Sequence, residues 1–227
     1  MAELFINQAK QYAETRPSYP QELFQSLPQK IQLVTLCGMW AQEVGSLLDR
    51  AGIYKKVTGT DTSIKQLEFA PKLPNVSYHH TAPVMSGSEL EETVSAQSTW
   101  CYTIPEVNDS VDSVLEQFHS IDSEPFWEPR LKLIDDKYRS IDFPFEAVEG
   151  AYHTGPFKFV AEKLMDLDEY LTYLRSWSAY QTAKTKVVEL LRDDMIESFK
   201  RAWNEDGHDQ KAVKFPVYLR IGKVGNA

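Results

Sequence analysis

The stretch VTGTDTS at residues 57–63 decides how this chain is interpreted. It begins as a strand-like run, reaches an acidic residue at Asp61, and leads into residues 64–70, which have the spacing of a helix. In α/β folds that bind nucleosides or dinucleotides, an acidic residue at the end of such a strand accepts hydrogen bonds from ribose hydroxyls. Because the TDTS segment also suits the start of a helix, an N-cap is the alternative role for Asp61.

The segments around this stretch predict a parallel sheet. Residues 32–37 and 76–79 have strand composition, and residues 41–48 have helical spacing, so the pattern is β-α-β-α-β. A glycine-rich turn is expected about 20 residues before the acidic residue. Only Gly38 and Gly45 represent it, within LCGMWAQEVG at residues 36–45.

Composition limits the protein's class. The chain has 227 residues, 42% of them hydrophobic, and a formal net charge of −9, which is typical of one globular domain and argues against binding to nucleic acid or to anionic membranes. No run reaches the roughly 18 apolar residues of a membrane span, and no signal peptide is recognised, so a cytoplasmic location is expected. Cys37 and Cys101 are expected to be buried thiols. No zinc-ligand spacing, P-loop or Ser-His-Asp order is present, and no metal site is predicted.

The second half of the chain predicts four further elements. Residues 143–149 are predicted as a strand, and Asp166 as the cap of a helix. Residues 184–203 have the pattern of one long amphipathic helix. Residues 213–224 are predicted as a final strand, in which Pro216 indicates a sheet edge or the start of the strand.

The middle of the chain breaks the alternation of strands and helices. Residues 100–104 are predicted as the end of a strand that Pro105 stops. The preceding SAQST segment, residues 95–99, is polar, and we expect that it cannot serve as a buried strand.

These features together resemble the class I S-adenosylmethionine-dependent methyltransferases, and within them the plant "type 11" or embryo-abundant-like branch. The resemblance is carried by FINQAKQYAETRPSYP at residues 5–20, by residues 51–70, and by residues 100–225, which include RSWSAY at 175–180. It covers most of the chain.

The resemblance implies an α/β fold with a Rossmann-like, mostly parallel sheet, helices on both faces and an antiparallel last strand. A strand, a helix and most of the next strand, roughly 30 residues, are missing between Thr99 and Trp100. We therefore expect the sheet to lack one central strand and helix, with either the first strand pairing across the gap or two edges left open. The single domain would comprise a cap segment (1–30), a cofactor half (31–104) and a substrate-side half (105–227).

The resemblance also implies roles for individual residues. Six residues would bind S-adenosylmethionine: Asp61, Thr62, Gly38, Gly45, Tyr12 and Arg16. Three residues would contact the methyl acceptor: Tyr19, Trp177 and Tyr180.

Other roles stay open for several of these side chains. Residues 12–19 also fit a packed N-terminal hook, with Arg16 in a surface ion pair. Trp177 and Tyr180 lie three positions apart on a predicted helix and share a face, so core packing is their alternative. His153, in the turn-rich AYHTGP segment, is a candidate general base.

Two functions follow from these observations. The first is methyl transfer from S-adenosylmethionine to a small-molecule acceptor, a reaction that depends mainly on aligning the reactants. The second is a non-catalytic variant of the same fold that serves as a binding protein. The second is favoured by Cys37 and Trp40, which stand where the family has an acidic residue and a close backbone approach. A nicotinamide enzyme is a weaker third interpretation, because its glycine turn is equally absent.

Overall fold

The structure, a computed structural model, describes residues 19–20, 22–23, 33–36, 57–61, 72, 74, 76–80 and 96–223. Its strands are β1 (Leu33–Leu36), β2 (Val57–Asp61), β3 (Val76–His80), β4 (Ala96–Tyr102), β5 (Phe157–Met165) and β6 (Lys211–Lys223). Its helices are α1 (Asp109–Gln117), α2 (Leu131–Asp135), α3 (Leu167–Arg175), α4 (Ser178–Thr185) and α5 (Asp193–Trp203). A π turn (Phe118–Asp122) and two 3-10 turns (Glu124–Phe126 and Asn204–Asp206) complete the described elements.

The six strands form one sheet in the order β3-β2-β1-β4-β6-β5. Strands β1 to β4 run parallel, and β6 runs antiparallel to both of its neighbours, β4 and β5. The predicted Rossmann-like, mostly parallel sheet with an antiparallel last strand is confirmed.

Strand β1 pairs directly with β4, which is the first of the two arrangements expected for a sheet without one central strand. Leu33 lies opposite Ala96, and Thr35 lies opposite Ser98. The polar segment 95–99 was expected not to form a buried strand, and that prediction is wrong. Residues 96–98 pair with β1 on one side and with β6 on the other, so that two neighbouring strands supply partners for their backbone groups. The small side chain of Ser98 is fully buried without needing a large cavity.

One face of the sheet is covered by α1, α3 and α5 through aromatic packing. Phe215 in β6 contacts Tyr102 of β4 at 5.8 Å between ring centroids and Tyr173 of α3 at 5.4 Å. Phe118, at the end of α1, contacts Phe199 of α5 at 6.1 Å. All of these rings except that of Tyr102 are buried, and together they form the core of the described part.

The other face is covered by α2 and the segment that follows it. The Arg220 guanidinium donates to the backbone carbonyls of Tyr138 (2.9 Å) and Ile141 (2.7 Å) and stacks over the Phe143 ring at 4.5 Å. Cys101, on the same face, is a buried residue whose Sγ lies 4.0 Å from the Ile134 carbonyl oxygen. The expected burial of Cys101 is confirmed, and Cys37 lies outside the described residues.

The predicted helix over residues 184–203 is wrong in extent. Helix α4 ends at Thr185, Val187 adopts a φ of 60°, and α5 begins at Asp193. The Glu189 carboxylate stabilises the break, because it accepts the Tyr180 hydroxyl at 2.9 Å and the Leu191 N–H at 2.8 Å. A periodicity argument misses this break, since the apolar positions on both sides continue one stripe.

Two strand predictions are also corrected. Residues 143–149 form only an isolated bridge, between Glu146 and Lys223. Pro216 lies in an interior strand and not at an edge or a strand start. This position tolerates proline because β4 ends beside it: the Thr103 N–H donates to the Pro216 carbonyl at 3.1 Å, and the last ladder pair is Tyr102 with Val217.

The predicted cap of α3 is confirmed. The Asp166 carboxylate accepts the Glu169 N–H at 2.8 Å, and the Glu169 carboxylate accepts the Asp166 N–H at 3.0 Å. This reciprocal capping box fixes the point at which the chain leaves β5 and enters the helical layer.

Candidate functional site

The candidate site lies at the carboxyl ends of the parallel strands. The chain proceeds from β1 to β2 and β3 on one side, and then returns to the other side of β1 with β4. The strand order therefore reverses between β1 and β4, which is the position where open α/β sheets bind ligands.

Asp61 lies close to the point between β1 and β4 where the strand order reverses. It is the last residue of β2, opposite His80 of β3, and Thr60 lies opposite Leu36 at the end of β1. An acidic residue thus ends the strand next to the switch point, as the sequence predicted. The other residues predicted to bind the cofactor, Thr62, Gly38, Gly45, Tyr12 and Arg16, lie outside the described residues.

Tyr19 reaches the same part of the sheet. Its ring packs edge-on against Trp100 of β4, with 5.8 Å between centroids, and both side chains are buried. The ladder between β1 and β4 puts Trp100 two positions beyond Ser98 and therefore just past the end of β1. Tyr19 consequently packs beside the switch point. Its role in contacting an acceptor stays a prediction.

The indole N–H of Trp100 is a buried donor at this place. In the part of the chain that the structure describes, the Nε1 atom has no acceptor. An unpaired buried donor is unfavourable by about 1–3 kcal/mol, so this atom is suited to an acceptor brought by a ligand.

The loop after β4, residues 103–108, borders the site and is held firmly. Glu106 exchanges two backbone hydrogen bonds with Lys214, at 2.8 and 2.9 Å. The Asp112 carboxylate accepts a backbone N–H of the loop at 2.7 Å, and the Asn108 side chain caps α1. Burial raises the pKa of Asp112, while this backbone N–H opposes the shift. Sequence analysis missed this loop, although its NDS segment at residues 108–110 is an N-cap signal.

Trp177 and Tyr180 lie in the helical layer. Trp177 is 5% exposed, and its ring contacts Phe118, Trp127 and Tyr173 at centroid distances of 5.4 to 5.9 Å. Tyr180 is buried except for a hydroxyl that donates to Glu189. These surroundings match the packing alternative, and contact with an acceptor stays a prediction for both residues.

A half-buried histidine, which the sequence analysis did not single out, lies beside Trp177. The His119 ring is 5.2 Å from the Trp127 ring and 5.7 Å from the Trp177 ring. Burial lowers its pKa, and the nearby carboxylates of Asp135 and Glu116 oppose that shift.

His153 lies far from Asp61. It precedes β5, and β5 is four strands away from β2 in the sheet, which corresponds to about 19 Å. Its exposed ring stacks on Phe157 at 4.8 Å, and its Nδ1 accepts the Gly155 N–H at 2.9 Å. This placement argues against the candidate role of general base beside the cofactor.

The described residues offer neither a metal cluster nor a membrane-spanning helix. Among them, no group of three or more His, Cys, Asp or Glu side chains could hold a metal ion. No helix among them has both the length and the apolar character needed to cross a membrane.

Comparisons with known proteins found a similar solved structure and a curated relative, and both are described as methyltransferases. No family model matches the chain. The chain is similar to the structure of "a Putative Type II Methyltransferase from Anaeromyxobacter dehalogenans", with a TM-score of 0.72 and 21% identity over 92% of this chain and 97% of that one. The fold is therefore that of a protein described as a methyltransferase.

A curated relative agrees with this similarity. A Dictyostelium discoideum protein described as a "Putative methyltransferase" is 25% identical over 254 residues, which cover 95% of this chain and 92% of that protein. Since 95% of the 227 residues is about 216, roughly 38 of the 254 aligned positions face a gap in this chain. The relative thus contains residues that this chain lacks.

Proposed function

We propose that this chain is an S-adenosylmethionine-dependent methyltransferase that acts on a small-molecule acceptor. One observation carries the proposal. Asp61 ends β2 beside the switch point of a sheet whose fold is shared with a protein described as a methyltransferase.

The described residues fit a nucleoside at this place. A carboxylate at the end of β2 can accept hydrogen bonds from both ribose hydroxyls, which are charge-assisted and therefore strong. The indole N–H of Trp100, which has no acceptor among the described residues, offers a further donor beside the switch point. Within the proposal, the cofactor is also bound by Gly38, Gly45, Thr62, Tyr12 and Arg16.

The bound cofactor supplies a methyl group on a sulfonium, and the chain supplies alignment. The hydrogen-bonded loop 103–108 and the Tyr19–Trp100 pair lie on the β4 side of the switch point, and Asp61 lies on the β2 side, across β1. Groups that are held in place can keep an acceptor at reacting distance, which is the main contribution an enzyme makes to such a transfer. The net charge of −9 favours a small molecule over nucleic acid as the acceptor.

Three finer assignments belong to the proposal. The plant "type 11" branch is supported by residues 5–20 and 100–225, and a deletion between Thr99 and Trp100 is consistent with the longer relative. A cytoplasmic location is supported by the low cysteine content of the chain, which has two cysteines in 227 residues.

A second candidate function is a non-catalytic binding protein with the same fold. It is favoured by Trp40, four positions after the last residue of β1 in the sequence, where the family that the chain resembles has a close backbone approach, because a Cβ limits such an approach to a ligand.

Calorimetric titration of the whole chain with S-adenosylhomocysteine separates the two functions. We expect binding in the micromolar range, weakened by about 10- to 100-fold in Asp61→Asn because charge-assisted hydrogen bonds to the ribose are lost. Asp142→Asn, an exposed acidic residue in another loop, is the matched control and should bind like the unchanged chain. Circular dichroism verifies that each variant is folded.

Absence of heat at millimolar ligand would leave only the non-catalytic function. Binding that Asp61→Asn does not weaken would show that the nucleoside lies elsewhere.

A further inference from the structure

Strand β5 is a sheet edge in the described part of the chain. It pairs with β6 along its whole length, from Phe157 opposite Leu219 to Met165 opposite Lys211. No other described strand pairs with its second side. A nine-residue strand whose second side faces no described strand is a template for pairing with another chain.

The direction of the backbone groups in β5 follows from β6. Lys214 and Pro216 of β6 bond towards β4, to Glu106 and Thr103, whereas Ile221 bonds towards the β5 side, to Thr154. Backbone groups of successive residues in a strand point to opposite sides. The odd-numbered residues of β5 therefore bond to β6, and the even-numbered ones direct their N–H and C=O groups outward.

The outward residues of β5 have an ordered pattern of charge. They are Lys158, Val160, Glu162 and Leu164, and all four side chains are exposed. Exposure reaches 45% for Val160 and 59% for Leu164, which is high for large apolar residues on a strand. Val160 thus lies between a positive and a negative residue, each two positions away.

This pattern is complementary to itself. If a second β5 runs antiparallel, with Val160 opposite Val160, then Lys158 lies opposite Glu162 of the other copy, and the reverse pair forms as well. The facing residues are all even-numbered, so each pair can exchange backbone hydrogen bonds, about six in total. Shifting the register to place Glu162 opposite Glu162 would put like charges together, which is unfavourable.

We propose that this chain forms a two-fold dimer in which β5 pairs antiparallel with β5 of a second copy, centred on Val160. Charged residues on an edge strand usually prevent pairing. In β5, however, Lys158 and Glu162 have opposite charges, so a second copy in this register brings opposite charges together and can pair. The sheet then continues through both copies.

Sedimentation equilibrium of the full chain in the micromolar range tests the proposal. The unchanged chain should be dimeric. Lys158→Glu should raise the dimer dissociation constant about tenfold or more, because it places two pairs of like charges across the two-fold axis. Glu162→Lys should do the same. Glu124→Lys, an exposed charge reversal in the helical layer, should leave the dimer unchanged.

Mixing the variants gives the sharper result. Lys158→Glu mixed with Glu162→Lys should restore a dimer, since every facing pair then has opposite charges. The double variant should dimerise alone for the same reason. Circular dichroism verifies folding throughout.

Hydrogen exchange reports on the register. In the dimer, the amides of Lys158, Val160 and Glu162 should be protected, whereas in the monomeric variants only the amides that face β6, such as that of Phe159, should stay protected. A chain that is monomeric at all micromolar concentrations overturns the proposal. So does a dimer that neither charge reversal weakens, or a mixture that fails to restore pairing.

Discussion

The two faces of the sheet are held in different ways. On one face, α1, α3 and α5 pack buried aromatic rings against Phe215 and its neighbours in β6. On the other face, the segment after α2 is held by specific contacts: the Arg220 guanidinium binds two carbonyls, and the chain passes closely over Gly222. The first face therefore depends on the amount of apolar surface buried, and the second on a few exact fits.

The largest loss of stability is expected from a substitution on the face that the helices cover. Phe215→Ala removes a fully buried ring from contacts with Tyr102 and Tyr173, and we expect a loss of about 3–5 kcal/mol in the free energy of unfolding. Urea denaturation measures it. Ile121→Ala, at a side chain that is 69% exposed, should change stability by less than about 0.5 kcal/mol. Equal losses in both variants would contradict the dependence of this face on buried apolar surface.

A smaller, local effect is expected on the other face. A Cβ at Gly222 would collide with Phe145 and lie 3.1 Å from Phe143, so Gly222→Ala should destabilise by about 1–3 kcal/mol. Because Glu146 and Lys223 exchange hydrogen bonds beside it, their amides should lose protection from hydrogen exchange. Gly207→Ala provides the comparison: its φ of 73° is strained for alanine, but its Cβ meets open space. That variant should destabilise without exposing the Glu146 amide.

The smallest expected effect is a pH dependence of stability that arises from His119 on the helix-covered face. Burial lowers the pKa of His119 below its ordinary value, so the unfolded chain takes up this proton at a higher pH than the folded chain. Stability should therefore fall as pH decreases from about 6.5, the ordinary histidine pKa, towards the lower folded value. His119→Gln should remove this part of the slope, measured by urea denaturation at several pH values. An unchanged slope would show that other groups cause it.

Local signals in the sequence predicted much of the fold. The position of Asp61 followed from a strand ending on an acidic residue, and the cap of α3 followed from Asp166 at the start of a helical pattern. These local signals gave wrong predictions where a neighbouring strand determines the structure of a segment. Residues 96–98 form a strand because two neighbouring strands supply partners for their backbone groups, and Pro216 lies inside the sheet because β4 stops beside it.

The same limit applies to the candidate site. The position of Asp61 could be predicted because it depends only on where one strand ends. The loop 103–108 could not, since its position depends on Lys214, which follows more than 100 residues later. The distance of His153 from Asp61 could not be predicted either, because it depends on the order of the strands in the sheet.

The position of β6 has a consequence for synthesis of the protein. It is the last of the described strands along the chain, yet it lies between β4 and β5 and pairs with both. On the ribosome, neither of those strands can acquire this neighbour until residues 211–223 emerge. Until then, their unpaired edges are open to association with other nascent chains, and this interval is where we expect a chaperone to be needed.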